Sequence, residues 1–301
     1  MSKLNSFAII GSGFIGSFIL SAFLDQVPLP STIVVLSRDP ESKTFPPEVK
    51  VVKVVDYNDV DAVAKILTAY NIDTVVSTVG YAGIKLQKKM ADASKKAGVK
   101  LFAPSEFGSP TDGAPSYYAS FQEKDRIAGE SLSSLRRTVL IVEFRGLPRI
   151  LLNRQTGCFI NNSLLSITGV RVNGKINIIG KGQSPVSFTL EEDVGGFVAH
   201  VLTTLSIDSL ADKIFRLEGD RATLRDIAKW YDKEIAYVEA IPGPRSEVLS
   251  MLSRVFESGA GSTGWNFATN REGEGEDAAG SANHFWRGHE WKGIRDVITQ
   301  F

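Results

Sequence analysis

The chain has 301 residues, 43% of them hydrophobic and 23% charged, with 34 basic and 34 acidic side chains. That composition excludes wholesale disorder and fibrous architecture, and a net charge of zero leaves no global field to draw in nucleic acid or anionic lipid. One cysteine and three histidines exclude a disulfide framework and a cysteine-rich metal site. No metal is therefore expected, and Cys158 reads as a reduced structural thiol.

The opening MSKLNSFAII runs into a strand pattern without the features of a secretory leader. No apolar run approaches the roughly 20 residues that span a bilayer. The expectation is a cytoplasmic protein, monomeric or homodimeric, with no nucleic-acid and no membrane partner.

Strand patterns occur at 7–10, 33–36, 51–55, 74–78, 99–103 and 138–143, and helical patterns at 15–25, 60–70, 84–97 and 118–135. The strand runs are continuous and rich in Val and Ile, as strands covered on both faces must be. Repeated strand–helix–strand units of this length predict an α/β fold, a Rossmann-type doubly wound parallel sheet. The rhythm breaks after about residue 145. Short strands at 176–179 and 185–189 flank the turn Gly180-Lys-Gly-Gln183, and 213–217 is another. Capping-box spacing at Thr189-Leu-Glu-Glu192 predicts a helix to 204, and Thr223-Leu-Arg-Asp226 one to 233. Residues 1–150 thus read as the Rossmann domain and 151–301 as a smaller lobe over the carboxyl edge of the sheet. Residues 258–283, rich in Gly, Ser, Glu and Ala, read as a flexible loop or hinge, with a lid as the alternative.

The sharpest motif is Gly11-Ser12-Gly13-Phe14-Ile15-Gly16, placed directly after the first strand and opening the first helix. Gly11 permits the tight turn, Gly13 lets backbone approach a pyrophosphate, and Gly16 lets helix and strand pack closely. The helix N-terminus then faces the anion. An NAD-selective site usually closes the second strand with Asp or Glu, whereas this chain has Ser37 and Arg38, with Lys43 shortly after. A guanidinium can hold a 2′-phosphate bidentately, on the order of 1.5–3 kcal/mol per charged hydrogen bond, so the cofactor expected is NADPH/NADP. Asp39 either pairs with Arg38 or contacts the ribose. Asp56 follows the third strand within reach of the adenine edge, and Thr78-Val79-Gly80-Tyr81 follows the fourth near the middle of the cofactor.

On the 118–135 helix, Phe121, Ile127, Ala128, Leu132 and Leu135 share one arc, and Lys124 lies inside it. A lysine there either snorkels to an edge or projects into a cleft, where desolvation lowers its pKa toward acid–base use. The helix start belongs at the carboxyl edge beside the nicotinamide, which favours the cleft and makes Lys124 also a cofactor contact. The Tyr-x-x-x-Lys pair of ordinary short-chain dehydrogenases is missing, because residue 120 is Ser.

Gly11-Ser-Gly-Phe-Ile-Gly16, Phe102-Ala-Pro-Ser-Glu-Phe-Gly108 and Phe121-Gln-Glu-Lys124 together resemble the NmrA-like, isoflavone-reductase-like family of atypical short-chain dehydrogenases. Trp286-Arg-Gly-His289-Glu-Trp291 is similar to fungal members. The resemblance implies NADPH binding, a small-molecule substrate, and hydride transfer to phenylpropanoid, lignan or isoflavonoid-type compounds aided by a lysine at the position of Lys124. Two departures stand out. Asp125-Arg-Ile-Ala128 replaces the usual Ile-Arg-Arg run, and Glu143-Phe144-Arg145-Gly-Leu-Pro-Arg149 is more basic than a plant phenol reductase suggests. Tyr81, Phe107, Phe144 and Arg145 are the candidate substrate contacts. The expected activity is reduction of a carbonyl or activated alkene of a small aromatic or secondary-metabolite substrate. The alternative is a non-catalytic regulator that senses NAD(P). Elsewhere His200 reads as structural, His284 and His289 as stacking or capping beside Trp286 and Trp291, and Asp193 as closing the substrate lobe by family position.

Overall fold

A computed structural model describes residues 3–115, 149–150, 154–161, 163–211 and 213–299. They form two compact units: 3–106, Arg149–Ile150 and Gly195–Ile214 make the first, and 107–115, 154–194 and 215–299 the second.

The first unit is built on six parallel strands: β1 (Ser6–Ile10), β2 (Thr32–Ser37), β3 (Val49–Lys53), β4 (Thr74–Ser77), β5 (Leu101–Ala103) and β6 (Arg149–Ile150). Their order is β3-β2-β1-β4-β5-β6, the doubly wound arrangement the sequence predicts. β1 is central, with Ile10 opposite Leu36 on one side and Ser77 on the other. Every residue of β1 is buried, and it is apolar after Ser6, because helices cover both faces. On one face Ala8, Ile10, Val34 and Leu36 pack with residues of α2 (Val60–Ala69) and α3 (Gln87–Lys96). On the other, Phe7 stacks on Phe23 of α1 (Phe14–Leu24) at 4.4 Å between centroids.

Three boundaries differ from the sequence pattern. A 3-10 turn, Tyr81–Leu86, precedes α3, so regular helix begins later than residue 84. α3 ends in a Schellman cap, with Gly98 at φ +74° and the Val99 amide donating to the Ser94 carbonyl at 3.0 Å. That cap uses Val99, so β5 starts only at Leu101. The strand paired with β5 is Arg149–Ile150; the pattern at 138–143 lies outside the described residues, as does the 118–135 helix.

The second unit holds short strands around its own core, including Ile160, Leu164, Phe188, Ile227 and Val255. Val186–Thr189 lies between Cys158–Phe159 and Asp220–Ala222, and Ile176–Ile178 pairs with Ile235–Tyr237. The Glu191–Thr204 helix forms, but Thr189 does not cap it: its hydroxyl is buried without a hydrogen-bond partner, while the Asn161 amide donates to the Glu191 carboxylate at 3.2 Å. At Thr223 the capping box is complete, the hydroxyl accepting from the Asp226 amide and the Asp226 carboxylate accepting from the Thr223 amide at 3.0 Å. The Thr223 hydroxyl also donates to the Asp226 carboxylate at 2.6 Å, and this bond first, with that from the Thr223 amide, holds the carboxyl below its ordinary pKa. Thr223→Ala is expected to cost about 1 kcal/mol, a loss that thermal unfolding at neutral pH measures. The Asp226 share is fully present above the ordinary carboxylate pKa and is lost as pH falls through the lowered one, so the difference between variant and parent narrows in acid, while the share from the Asp226 amide remains.

Residues 258–283, expected as a loop, carry regular structure. The Trp265–Asn266 and Arg271–Glu272 strands pair antiparallel. Ser262 and Thr263 are buried, with Ser262 accepting from the Arg221 guanidinium at 2.9 Å and the Thr263 amide donating to the Ser187 hydroxyl at 3.0 Å. Small polar residues held by hydrogen bonds leave no apolar period to read.

Candidate functional site

In the first unit a cleft of about 500 Å³ opens among residues that end β1, β2 and β4, where the strand order reverses. Ligands of open α/β sheets bind at such a switch point. Its lining comes from the glycine loop (Gly11, Ser12, Gly13), the turn after β2 (Ser37, Arg38, Asp39, Ser42, Lys43), Tyr57 beyond β3, and Thr78, Val79 and Gly80 beyond β4.

The loop shows why each glycine is there. Gly11 takes φ +93°, a conformation that favours glycine. A Cβ on Gly16 would lie 2.2 Å from the Gly11 carbonyl oxygen and 2.6 Å from the Thr78 hydroxyl, so α1 approaches the loop more closely than any side chain allows. Thr78 fastens the same corner, its hydroxyl donating to the Ile10 carbonyl at 3.2 Å and to the Gly11 carbonyl. At Gly13, by contrast, a Cβ would meet nothing within 4 Å, and no side chain caps the α1 N-terminus there. Open room beside uncapped helix amides is the cradle a pyrophosphate requires. Phe14 and Ile15 do not line the cleft: Ile15 is buried, and Phe14 meets Phe18 edge-on.

After β2 the chain turns tightly, the Asp39 amide donating to the Ser37 hydroxyl at 3.2 Å and the Ser42 hydroxyl to the Asp39 carbonyl at 2.8 Å. Arg38 and Asp39 are exposed, and no ion pair joins them. The guanidinium is therefore available at the cleft. Lys43 reaches back across the cleft, its ammonium donating to the Ser12 carbonyl.

Asp56 is exposed and its carboxylate accepts from the Asn58 amide at 2.8 Å, a bond that lowers its pKa. It does not line the cleft; its neighbour Tyr57 does. Tyr57 is buried, and burial pushes its phenol pKa up to about 12 against the pull of Arg38. The sequence reading missed Tyr57. Its one signal is position, a large aromatic just past the carboxyl end of a parallel strand.

The Pro-Ser-Glu-Phe-Gly turn ties to the cleft wall through Ser105, whose hydroxyl donates to the Val79 carbonyl at 2.8 Å and whose amide donates to the buried Gln87 side chain at 2.6 Å. Tyr81 begins the 3-10 turn, and Phe107 is half-buried in the second unit. Lys124, Phe144 and Arg145 lie outside the described residues.

In the second unit His289 stacks on Trp286 at 3.6 Å and its Nε2 lies 2.9 Å from the Asp193 carboxylate, which also accepts from the Lys292 amide at 3.0 Å. Asp193 thus holds the C-terminal segment. Cys158 is buried, and burial pushes its thiol pKa up. Among the described residues no His, Cys, Asp or Glu group is arranged to hold a metal ion, and no helix is long and apolar enough to cross a membrane.

A parallel doubly wound sheet with a glycine loop at its switch point defines the class of dinucleotide-binding Rossmann proteins. Residues 5–136 match the NmrA-like family model. Phenylcoumaran benzylic ether reductase PT1 of Pinus taeda is 29% identical over 193 residues, which are 61% of this chain and 58% of that protein. An isoflavone reductase homolog of Solanum tuberosum is 26% identical over 260 residues, 80% of this chain and 78% of that one. Among solved structures, the binary complex of leucoanthocyanidin reductase with NADPH from Vitis vinifera aligns with a TM-score of 0.70 at 20% identity, covering 97% of both chains. Residues 5–136 are thus similar to the NmrA-like family, and the chain is similar to proteins of the isoflavone-reductase group.

Proposed function

We propose that this protein is an NADPH-dependent reductase that transfers hydride to a carbonyl or activated alkene of a small aromatic secondary metabolite. The observation that carries the reading is the cleft itself: open room at Gly13, a helix start without a side-chain cap, and on the β2 side an exposed Arg38 that is ion-paired to none of the described residues. The named activities of the pine and potato relatives support the substrate class.

The protein's residues divide the work. The glycine loop and the start of α1 hold the pyrophosphate, and Arg38 with Lys43 and Ser37 takes the 2′-phosphate. Thr78, Val79 and Gly80 border the middle of the cofactor. NADPH, when bound, supplies the hydride. Lys124 donates a hydrogen bond or proton to the oxygen on which charge develops, and Tyr81, Phe107, Phe144 and Arg145 orient the substrate.

The test is turnover of NADPH with a panel of phenylpropanoid and carbonyl substrates by the wild type and Lys124→Ala. The variant is expected to lose about 10²- to 10⁴-fold in kcat, while its NADPH affinity falls far less, by the loss of one contact. Nucleotide binding with no turnover of any substrate favours a dinucleotide-sensing regulator instead.

A further inference from the structure

The contact between Lys43 and the Ser12 carbonyl joins two segments that are 31 residues apart in sequence. Ser12 belongs to the glycine loop and Lys43 to the segment after the 3-10 turn Pro40–Ser42, and both line the same cleft. In a Rossmann site the pyrophosphate rests on the glycine loop and the adenosine ribose reaches the end of β2. A bond from the loop to the segment beyond β2 therefore crosses the path between those two positions. Lys43 is exposed, so its side chain is free to leave, and a neutral carbonyl is a weaker partner for an ammonium than a phosphate dianion.

We propose that Lys43 is a clasp that determines cofactor specificity by exclusion: it bridges the mouth of the cleft to Ser12, and a 2′-phosphate draws it away whereas a 2′-hydroxyl does not. The inference rests on the dinucleotide reading of this cleft and adds a second source of discrimination to Arg38. Arg38 attracts the phosphorylated cofactor; the clasp penalises the one that lacks the phosphate. Specificity in natural sites commonly combines an attractive and a repulsive element.

A plain phosphate ligand and a clasp differ in what they do to NADH. For a closed clasp, the association rate scales with the fraction of molecules in which it is open. The Lys43 ammonium is exposed and screened by water, so the bond counts at the lower, ordinary net value, and Lys43→Met, which keeps the aliphatic stem, is expected to raise the NADH association rate about two- to tenfold. The same variant is expected to weaken NADPH binding, so that the preference narrows from both sides.

Stopped-flow nucleotide fluorescence with NADH and NADPH, on wild type, Lys43→Met and Arg38→Ala, decides the matter. Faster NADH association in Lys43→Met and not in Arg38→Ala supports the clasp. Unchanged or slower NADH association in Lys43→Met, with NADPH binding by the wild type intact, overturns the clasp and leaves the cofactor reading standing. Failure of the wild type to bind either nucleotide overturns the cofactor reading and the clasp together.

Discussion

Arg38→Ala is expected to weaken NADPH binding roughly ten- to a hundredfold and to leave NADH binding nearly unchanged, as read by equilibrium fluorescence titration of both nucleotides. The reason is that Arg38 is exposed at the cleft and is ion-paired to none of the described residues. Its interaction with a 2′-phosphate is then gained without breaking another, on the order of 1.5–3 kcal/mol for a charge-assisted bond. The effect has a pH signature. A phosphate monoester takes up its second proton near about pH 6, so NADPH affinity should fall as pH drops through that value in the wild type, and much less in Arg38→Ala. Tyr57 will not contribute over this range, because burial holds its phenol protonated with a pKa of about 12. A loss shared equally by NADH and NADPH would mean that Arg38 supports the fold of the turn and not the phosphate.

The glycine loop carries the second large expectation, and two substitutions of the same size separate its roles. Gly16→Ala places a methyl 2.2 Å from the Gly11 carbonyl oxygen, where only a backbone shift relieves it. Overpacking of this kind costs about 1–3 kcal/mol, so the melting temperature should drop by several degrees and dinucleotide binding should fail with it. Gly13→Ala meets no protein atom within 4 Å. Its melting temperature without nucleotide should stay close to the wild-type value, while affinity for NADPH and NADH falls alike, by about tenfold or more, as the methyl enters the space the pyrophosphate needs. Thermal unfolding with and without nucleotide measures both. Equal melting temperatures for the wild type and Gly16→Ala would contradict the close packing of α1 against the loop.

What the sequence disclosed follows from the range of the interactions involved. The glycines at 11, 13 and 16 answer to backbone demands within one strand–turn–helix, so they are visible as a motif, and Arg38 is visible because it closes a strand whose end is predictable. Tyr57 and Asp56 are adjacent, yet only the fold decides which one faces the cleft; the polar residue looked the more useful and is turned to Asn58. The Lys43–Ser12 bond and the Ser105–Gln87 tie join residues 31 and 18 positions apart, and no local pattern announces them. The order within 258–283 was hidden for a similar reason, since its buried serine and threonine are held by partners such as Arg221 and Ser187 from distant strands. At Thr189 the failure was of another kind: the capping-box letters are present, but the hydroxyl belongs to the strand Val186–Thr189 and is buried there.

The first unit takes in Gly195–Ile214 as well as the N-terminal strands. Val198, Val201 and Leu202 in that stretch are fully buried, a Cβ on Gly195 would lie 2.7 Å from the Phe18 backbone, and the Thr203 hydroxyl lies 3.1 Å from the Gln26 side chain. On the ribosome, where domains usually fold in the order in which they emerge, this unit cannot finish early. β1 to β5 and their helices emerge first, but the α1 side of the sheet stays wet until residue 214 is out, with much of the second unit already synthesised in between. The nascent chain therefore carries an exposed apolar face for about as long as the intervening residues take to make, on the order of ten seconds at about 5–20 residues per second, and a chaperone that shields such faces has that interval in which to act.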